Sequence, residues 1–256
     1  MNRQSQAAVM FLLGAALLHA GSTDLYLRYV KAGLQPLLLA SGAVLIAGAL
    51  ATVWYERKRH RLRQQAHEGH AHEGHAHEGH ADEGHAHPEP RVSWLLLLPL
   101  LALILIAPPA LGSYSALRSG TALQKPYGLG PLPGGSGPVQ LSVVDYASRA
   151  AYGNGRSLDG RTVQVTGFLA LDGSGAPYLV RMALNCCAAD AQPVKIALTG
   201  QLPPVLRPDA WLTVTGSYSP RLSRDPVNNG PIPYLKVTSA QPVPVPHDPY
   251  DETWNN

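Results

Sequence analysis

The chain has 256 residues, a net charge of +3 and only two cysteines, which is length enough for one modest domain and a membrane anchor. Much of the positive charge lies in one cluster at residues 57–63, beside an apolar run, and the C-terminal half has no comparable basic stripe. This distribution excludes nucleic acid as a partner and indicates the flank of a membrane span.

Three apolar runs in the first 112 residues predict membrane helices. Residues 34–55 are uncharged and end in Trp54 and Tyr55, as expected for a span of ~20 residues with aromatic side chains at the interface. Residues 92–111 form another run, in which lipid tolerates a kink at Pro99. Both runs are too long and too free of charge for the alternative, a buried core helix. We therefore predict a two-helix hairpin at 1–55 and a third transmembrane helix at 92–112.

The first run, residues 7–18, is short and leaves two interpretations open. It could be the apolar part of a signal peptide after Arg3, but the residues near Ala20 form no clean small-x-small cleavage site. We favour a retained span that reaches towards Leu25. Both interpretations leave the downstream topology the same.

Basic residues predict the orientation of the spans. The loop 56–91 carries six Lys or Arg residues, against Arg28 and Lys31 in the first loop. The loop 56–91 is therefore expected in the cytoplasm, and everything after the third span outside it. The sequence predicts a multi-pass protein of the cell membrane with the lipid bilayer around its helices.

A histidine-rich repeat fills the predicted cytoplasmic loop. The pentad Ala-His-Glu-Gly-His occurs at 66–70, 71–75 and 76–80, with a degenerate copy at 81–85. Imidazole binds transition metals well, and the glycines let the chain wrap around an ion. We predict a flexible buffer for zinc or another transition metal; the alternatives are a solvated tether and a pH-sensitive loop. The predicted ligands are His67, His70, His72, His75, His77, His80, His85 and His87.

The C-terminal half predicts an all-β domain. A Gly/Pro-rich linker at 113–140 precedes a short amphipathic helix at 141–152, with Val144 and Ala151 towards the core. Alternating apolar residues then predict five short strands, which favours an OB-like small barrel over a sandwich fragment. The similar fragments 163–167 and 212–216 each end in a glycine, Gly167 and Gly216, where a sharp strand bend is possible. The domain is expected at 141–245 and an extended tail at 246–256.

The two cysteines are adjacent, and three interpretations of them stay open. Their Cα atoms lie ~3.8 Å apart, below the usual ~4.4–6.8 Å of a disulfide, so a vicinal disulfide would be strained. Cys186 and Cys187 could form a soft metal site with Asp190, a redox pair, or packed small residues at a strand end. No catalytic constellation is recognisable in the sequence, so we predict that the protein is not an enzyme.

Several segments of the sequence carry a family resemblance. The most specific of these segments extends from Arg181 to the two adjacent cysteines. Together with the spans and the His-rich insert, the order of these segments resembles the YcgQ-like family of bacterial permease subunits. The resemblance implies a small subunit that works beside a larger multi-span membrane permease, in a system connected with transition metals. The matching segments are Gly160-Arg161-Thr162-Val163, Thr166-Gly167-Phe168, Leu179-Val180-Arg181, Cys186-Cys187-Ala188-Ala189-Asp190-Ala191 and His247-Asp248-Pro249-Tyr250.

The leading functional hypothesis is therefore an accessory subunit of a membrane permease system, since three spans are too few for an independent transporter. An extracytoplasmic binding or metal-sensing membrane protein without transport is the second hypothesis. A vicinal-thiol redox protein is the third.

Overall fold

The computed structural model describes residues 3–68, isolated positions between 95 and 106, and residues 109–251 apart from 133 and 136. The described residues form two units. One contains the two long N-terminal helices, and the other contains the loop Asp24–Leu34 together with the C-terminal domain from Pro109 onward. Most of the third predicted span, 92–112, lies outside the described residues.

The helical unit consists of α1 (Arg3–Ser22) and α2 (Gln35–Glu68), which pack against each other. Glycines allow a close approach of the two backbones: a Cβ atom on Gly14 would lie 2.8 Å from the carbonyl oxygen of Gly42. Small residues at such contacts are typical of membrane helices. The helix α2 runs past the predicted end at Tyr55, because the charged residues that follow are good helix formers.

Both helices are long and apolar enough to cross a membrane. Many of their large apolar side chains, such as Leu37, Val44 and Leu50, are exposed within the described structure. A helix in the core of a soluble protein would bury these side chains. The helical unit is therefore compatible with the predicted membrane anchor.

The C-terminal unit is built on a small β-barrel, as predicted. Strands β2 to β6 close in the order β2-β3-β4-β6-β5, because β2 pairs with both β3 and β5. Neighbouring barrel strands are antiparallel except β4 and β6, and two short outer strands, β1 and β7, add in parallel to β2 and β3. Closure excludes the sandwich alternative. The strands are β1 (Val139–Leu141), β2 (Thr162–Leu171), β3 (Pro177–Ala183), β4 (Gln192–Gly200), β5 (Trp211–Arg224), β6 (Pro231–Pro242) and β7 (Tyr250–Asp251).

The barrel interior is filled from the strands and from one helix. The described residues of this unit include the α-helices α3 (Ser113–Arg118) and α4 (Val143–Ala151), and α4 contacts all five barrel strands. Ser142 caps α4 by accepting a hydrogen bond from the Asp145 amide. Tyr146 is fully buried, and its hydroxyl donates to the Tyr234 carbonyl at 2.7 Å. The predicted helix is confirmed, although its most buried face carries Tyr146 and not Val144 or Ala151, which are half-buried.

A second apolar cluster lies outside the barrel core and includes Phe168, Val180, Met182, Trp211 and Tyr250. The helix α3 contributes Ala116 to this cluster. The stretch 113–140, expected to be a flexible linker, is thus ordered at its start: it contains α3 and buries Thr121 and Leu123 against the domain.

A buried ion pair explains the ordered start of this stretch. Lys195 Nζ lies 2.7 Å from Asp225 Oδ2, and both side chains are almost completely buried. Lys195 also donates to the Ser119 carbonyl at 2.8 Å, and Asp225 accepts from the Thr121 amide at 2.9 Å. Composition alone predicted an extended or flexible connector, because the partners in these contacts lie far along the chain.

The two strand glycines occupy close backbone contacts. A Cβ atom on Gly216 would lie 2.3 Å from the Lys236 carbonyl oxygen, at a register shift between β5 and β6. A Cβ atom on Gly167 would lie 2.7 Å from the Val180 carbonyl oxygen. Glycine is therefore needed at both positions so that neighbouring strands can approach.

Candidate functional site

The site that the sequence predicted around the cysteines lies in the connection between β3 and β4. A single 3-10 turn, Ala188–Asp190, follows Cys186 and Cys187 and returns the chain to the barrel. Cys186 is exposed and Cys187 half-buried, and both are free thiols. The Sγ atoms of the two cysteines and a carboxylate oxygen of Asp190 all lie within 4.8 Å of one another. The fold thus brings the three predicted residues together.

Backbone amides fix the carboxylate of Asp190. Oδ1 accepts from the Asn185 amide at 3.0 Å, and Oδ2 accepts from the Cys186 amide at 2.9 Å. Burial raises the pKa of Asp190, but hydrogen bonds from the Cys186 thiol and these amides outweigh burial and hold the pKa below its ordinary value. The carboxylate is therefore ionised and held at a fixed position beside the thiols.

The Cys186 thiol donates a hydrogen bond to Asp190 Oδ2 at 2.9 Å. This hydrogen bond, followed by one with Cys187, raises the pKa of Cys186 to about 12. A thiolate would be repelled by the neighbouring carboxylate, so the thiol form prevails at neutral pH. An incoming metal cation would remove that repulsion by replacing the thiol proton.

The loop between the two N-terminal helices packs directly on the cysteine turn. Val30 forms an antiparallel bridge with Cys187. The Lys31 amide donates to the Cys186 carbonyl at 3.1 Å, and the Ala188 amide donates to the Tyr29 carbonyl at 2.7 Å. The backbone of the thiol site and the backbone of the hairpin loop are therefore one hydrogen-bonded structure, which the sequence did not predict.

Arg181, the fourth residue singled out in this domain, anchors the C-terminal tail. Its guanidinium donates to the carbonyls of Asp248 (2.6 Å) and Tyr250 (2.9 Å) and lies 4.9 Å from the centre of the Trp211 ring. Burial lowers the pKa of Arg181, and the carboxylates of Asp251 and Asp248 oppose that effect. Arg181 also lines a polar groove of about 720 Å³. These contacts give it a structural role in positioning the tail.

Tyr250 is the important residue that sequence reasoning missed. Its ring is buried, and its hydroxyl accepts a hydrogen bond from the Leu111 amide at 3.2 Å and donates one to the Arg28 carbonyl at 3.1 Å. In the same region His247 Nε2 lies 2.7 Å from Asp24 Oδ2 on the surface. The only signal in the sequence was the quoted segment 247–250, whose partners lie far away in the chain.

The predicted histidine ligands cannot be placed. The side chains of 63–68 and the whole of residues 69–94 lie outside what the structure describes. The metal buffer at His67–His87 therefore stays a prediction, as does the absence of enzymatic activity.

Comparison with known proteins gives one match. Residues 141–251 match the family model described as the DUF1980 C-terminal domain, and this stretch contains the barrel, the cysteine turn and the tail strand. No curated protein and no solved structure matches the chain.

Proposed function

We propose that this chain is a membrane-anchored accessory subunit of a permease system that handles transition metals. The observation that carries the proposal is the hydrogen bonding of the Tyr250 hydroxyl to both Arg28 and Leu111. Arg28 lies in the loop between the two apolar helices, and Leu111 is the last residue of the third apolar run. One side chain thus ties both segments to the barrel.

These ties support a topology with three spans. If α1 and α2 cross the membrane, their connecting loop emerges on one side, and the domain that holds this loop lies on that same side. The chain must then cross back between α2 and Pro109. Residues 92–111 are the one long apolar run in that interval. The basic loop 56–91 favours the cytoplasm, so the barrel is assigned outside it.

The subunit assignment rests on size and resemblance. Three helices of ~20 residues are too few to line a transport path by themselves, whereas a folded domain on a membrane anchor can act beside a larger permease. The sequence resemblance to YcgQ-like permease subunits favours that partner, and two thiols beside a carboxylate favour a transition metal as the handled ion.

The topology is tested with two reporter fusions. A reporter active only outside the cytoplasm should be active when fused after residue 251 and silent when inserted at residue 74. The reversed pattern would contradict the orientation and the compartment of the thiols.

The partner is tested with the full-length chain in its native membrane. After cross-linking we expect a multi-span permease to be captured, and transition-metal flux through membrane vesicles should fall when the gene for this chain is deleted. Unchanged flux together with capture of no permease would reject the subunit assignment.

A metal-sensing membrane protein without transport is the second candidate, because the Cys186, Cys187 and Asp190 cluster could bind an ion without passing it on. This candidate predicts unchanged flux in the deletion strain and retained metal binding by the purified chain. The redox hypothesis is the weakest, since the carboxylate of Asp190 opposes thiolate formation at Cys186.

A further inference from the structure

We propose that Cys186, Cys187 and Asp190 bind one thiophilic divalent cation of the zinc class and that this ion fastens the hairpin loop to the barrel. The inference deepens the proposed function and rests on it for the ion's role, but the site can be tested without any permease. It assigns a specific metal site in the C-terminal domain, separate from the predicted histidine ligands.

The donor atoms suit a small cation. Zinc binds thiolate sulfur at about 2.3 Å and carboxylate oxygen at about 2.0–2.2 Å, so donors on one tetrahedral ion lie roughly 3.5–3.8 Å apart. Here all three donors lie within 4.8 Å, and Cys186 Sγ and Asp190 Oδ2 lie 2.9 Å apart. Side-chain rotations that move these atoms by about 1 Å complete the geometry.

The donor chemistry selects the class of ion. Two thiolates favour soft or borderline metals, and the hard carboxylate oxygen favours zinc over copper(I). Binding M²⁺ forms two metal–sulfur bonds and one metal–oxygen bond, and the two thiol protons pass to solvent. Two thiolates and the carboxylate carry three negative charges against the two positive charges of the ion, so the complex has a net charge of one negative unit.

Three protein donors leave the fourth tetrahedral position to water or another ligand, as in zinc sites that exchange ligands. The exposure of Cys186 gives an ion a direct route from solvent. An ion held in this way can be passed to another protein, which distinguishes this site from a closed structural zinc site.

The backbone around the site connects it to the loop Asp24–Leu34. The carbonyl of Cys186 accepts from the Lys31 amide, the amide of Ala188 donates to the Tyr29 carbonyl, and Cys187 bridges to Val30. An ion that fixes both cysteine side chains also fixes the peptide groups that hold the loop. Occupancy of the site should therefore slow local opening of residues 29–31.

The test uses Co²⁺ and the reduced full-length chain. Only thiolate ligands give a sulfur-to-cobalt charge-transfer band in the ultraviolet, and Cys186 and Cys187 are the only cysteines in the sequence. The histidine repeat can bind Co²⁺ without producing this band. We expect the band to saturate at one ion per chain and to disappear on addition of Zn²⁺, which replaces the cobalt.

Three variants identify the ligands. Cys186→Ser and Cys187→Ser should each weaken Co²⁺ binding at the thiol site by about tenfold or more, and so should Asp190→Asn. Asp172→Asn is the matched control, because Asp172 also accepts backbone hydrogen bonds in a surface turn but has no neighbouring thiol. Its band should equal that of the wild type. Circular dichroism of each variant shows whether the barrel is folded.

Two results would overturn the proposal. No charge-transfer band in the folded wild-type chain would reject the metal site. A full-strength band combined with unchanged hydrogen exchange at residues 29–31 would reject the link to the hairpin. If the band appears while metal flux is unchanged and no permease is captured, the site stands and the subunit assignment falls. If the band is absent while a permease is captured and flux falls, the site alone is rejected.

Discussion

The exposed thiol of Cys186 shows how one neighbouring carboxylate sets the chemistry of a side chain. The hydrogen bond to Asp190 raises the pKa of Cys186 to about 12, and the thiolate is the nucleophile in alkylation. In the metal-free chain, alkylation of Cys186 should therefore be slow at neutral pH and keep accelerating far into the alkaline range. In Asp190→Asn, which removes the negative charge, the rate should be higher at neutral pH and level off near the ordinary pKa of ~8.5.

Mass spectrometry of the iodoacetamide adducts identifies the alkylated cysteine and measures the rate of its alkylation. Asp172→Asn should react like the wild type, since it changes a carboxylate remote from the thiols in the sequence and in hydrogen bonding. Equal rates at Cys186 in the wild type and Asp190→Asn would show that the carboxylate does not control the thiol.

At the residue scale, the sequence identified the site but not its surroundings. Cys186, Cys187 and Asp190 lie within one short segment, so their proximity followed from the chain itself. The contacts with Tyr29, Val30 and Lys31 join residues far apart in the sequence, and no local pattern encodes them. The sequence therefore grouped the three residues of the candidate site without indicating that their backbone pairs with the loop Asp24–Leu34.

At the scale of elements, the alternation of apolar residues predicted the five barrel strands. Val163 and Val165 of β2, and Val194 and Ile196 of β4, are completely buried as that alternation requires. The outer strands β1 and β7 are too short to leave a pattern of their own. The sequence predicted the helix α4, but it did not predict which face of α4 points into the barrel. The barrel interior accepts the large Tyr146 in preference to its smaller neighbours.

The buried ion pair between Lys195 and Asp225 should decide whether the segment after α3 stays on the barrel. Removing one member of a buried pair leaves the other charge uncompensated and costs about 3–5 kcal/mol. Lys195→Met should destabilise the domain by about that amount and free the Ser119 carbonyl. Chymotrypsin cleavage after the exposed Tyr127 should then accelerate.

Lys236→Met is the matched control, because Lys236 is an exposed lysine on a barrel strand. It removes the same charge without breaking a buried pair, so cleavage after Tyr127 should keep its wild-type rate. Accelerated cleavage in both variants, or in neither, would show that the ion pair does not hold this segment.

At the scale of the whole molecule, charge patterning and hydropathy predicted a membrane anchor, but the placement of the loop between its first two helices depends on tertiary contacts. The loop Asp24–Leu34 belongs to the C-terminal unit, although the sequence shows it only as a short connection. Its partners come from the cysteine turn and from the tail, which follow it by most of the chain length. Local sequence patterns cannot encode contacts between segments so far apart in the chain, so only the structure shows them.

The hydrogen bonds of the Tyr250 hydroxyl offer the most direct test of how the loop Asp24–Leu34 is held on the C-terminal domain. Tyr250→Phe keeps the buried ring in its apolar cluster but deletes the hydrogen bonds to Leu111 and Arg28. Leaving the two backbone groups without their partner costs about 1–3 kcal/mol each where water cannot replace it. The barrel should stay folded, while trypsin cleavage after Arg28, an exposed residue of the loop, should accelerate.

Tyr114→Phe provides the control, because Tyr114 is 70% exposed and its loss of a hydroxyl should leave cleavage after Arg28 unchanged. The two reporter fusions should give the same pattern in both variants, since the hydrogen bonds hold the loop but do not set the orientation of the spans. Unchanged trypsin cleavage in Tyr250→Phe would mean that other contacts hold the loop Asp24–Leu34, and Tyr250 would then lose the role assigned to it.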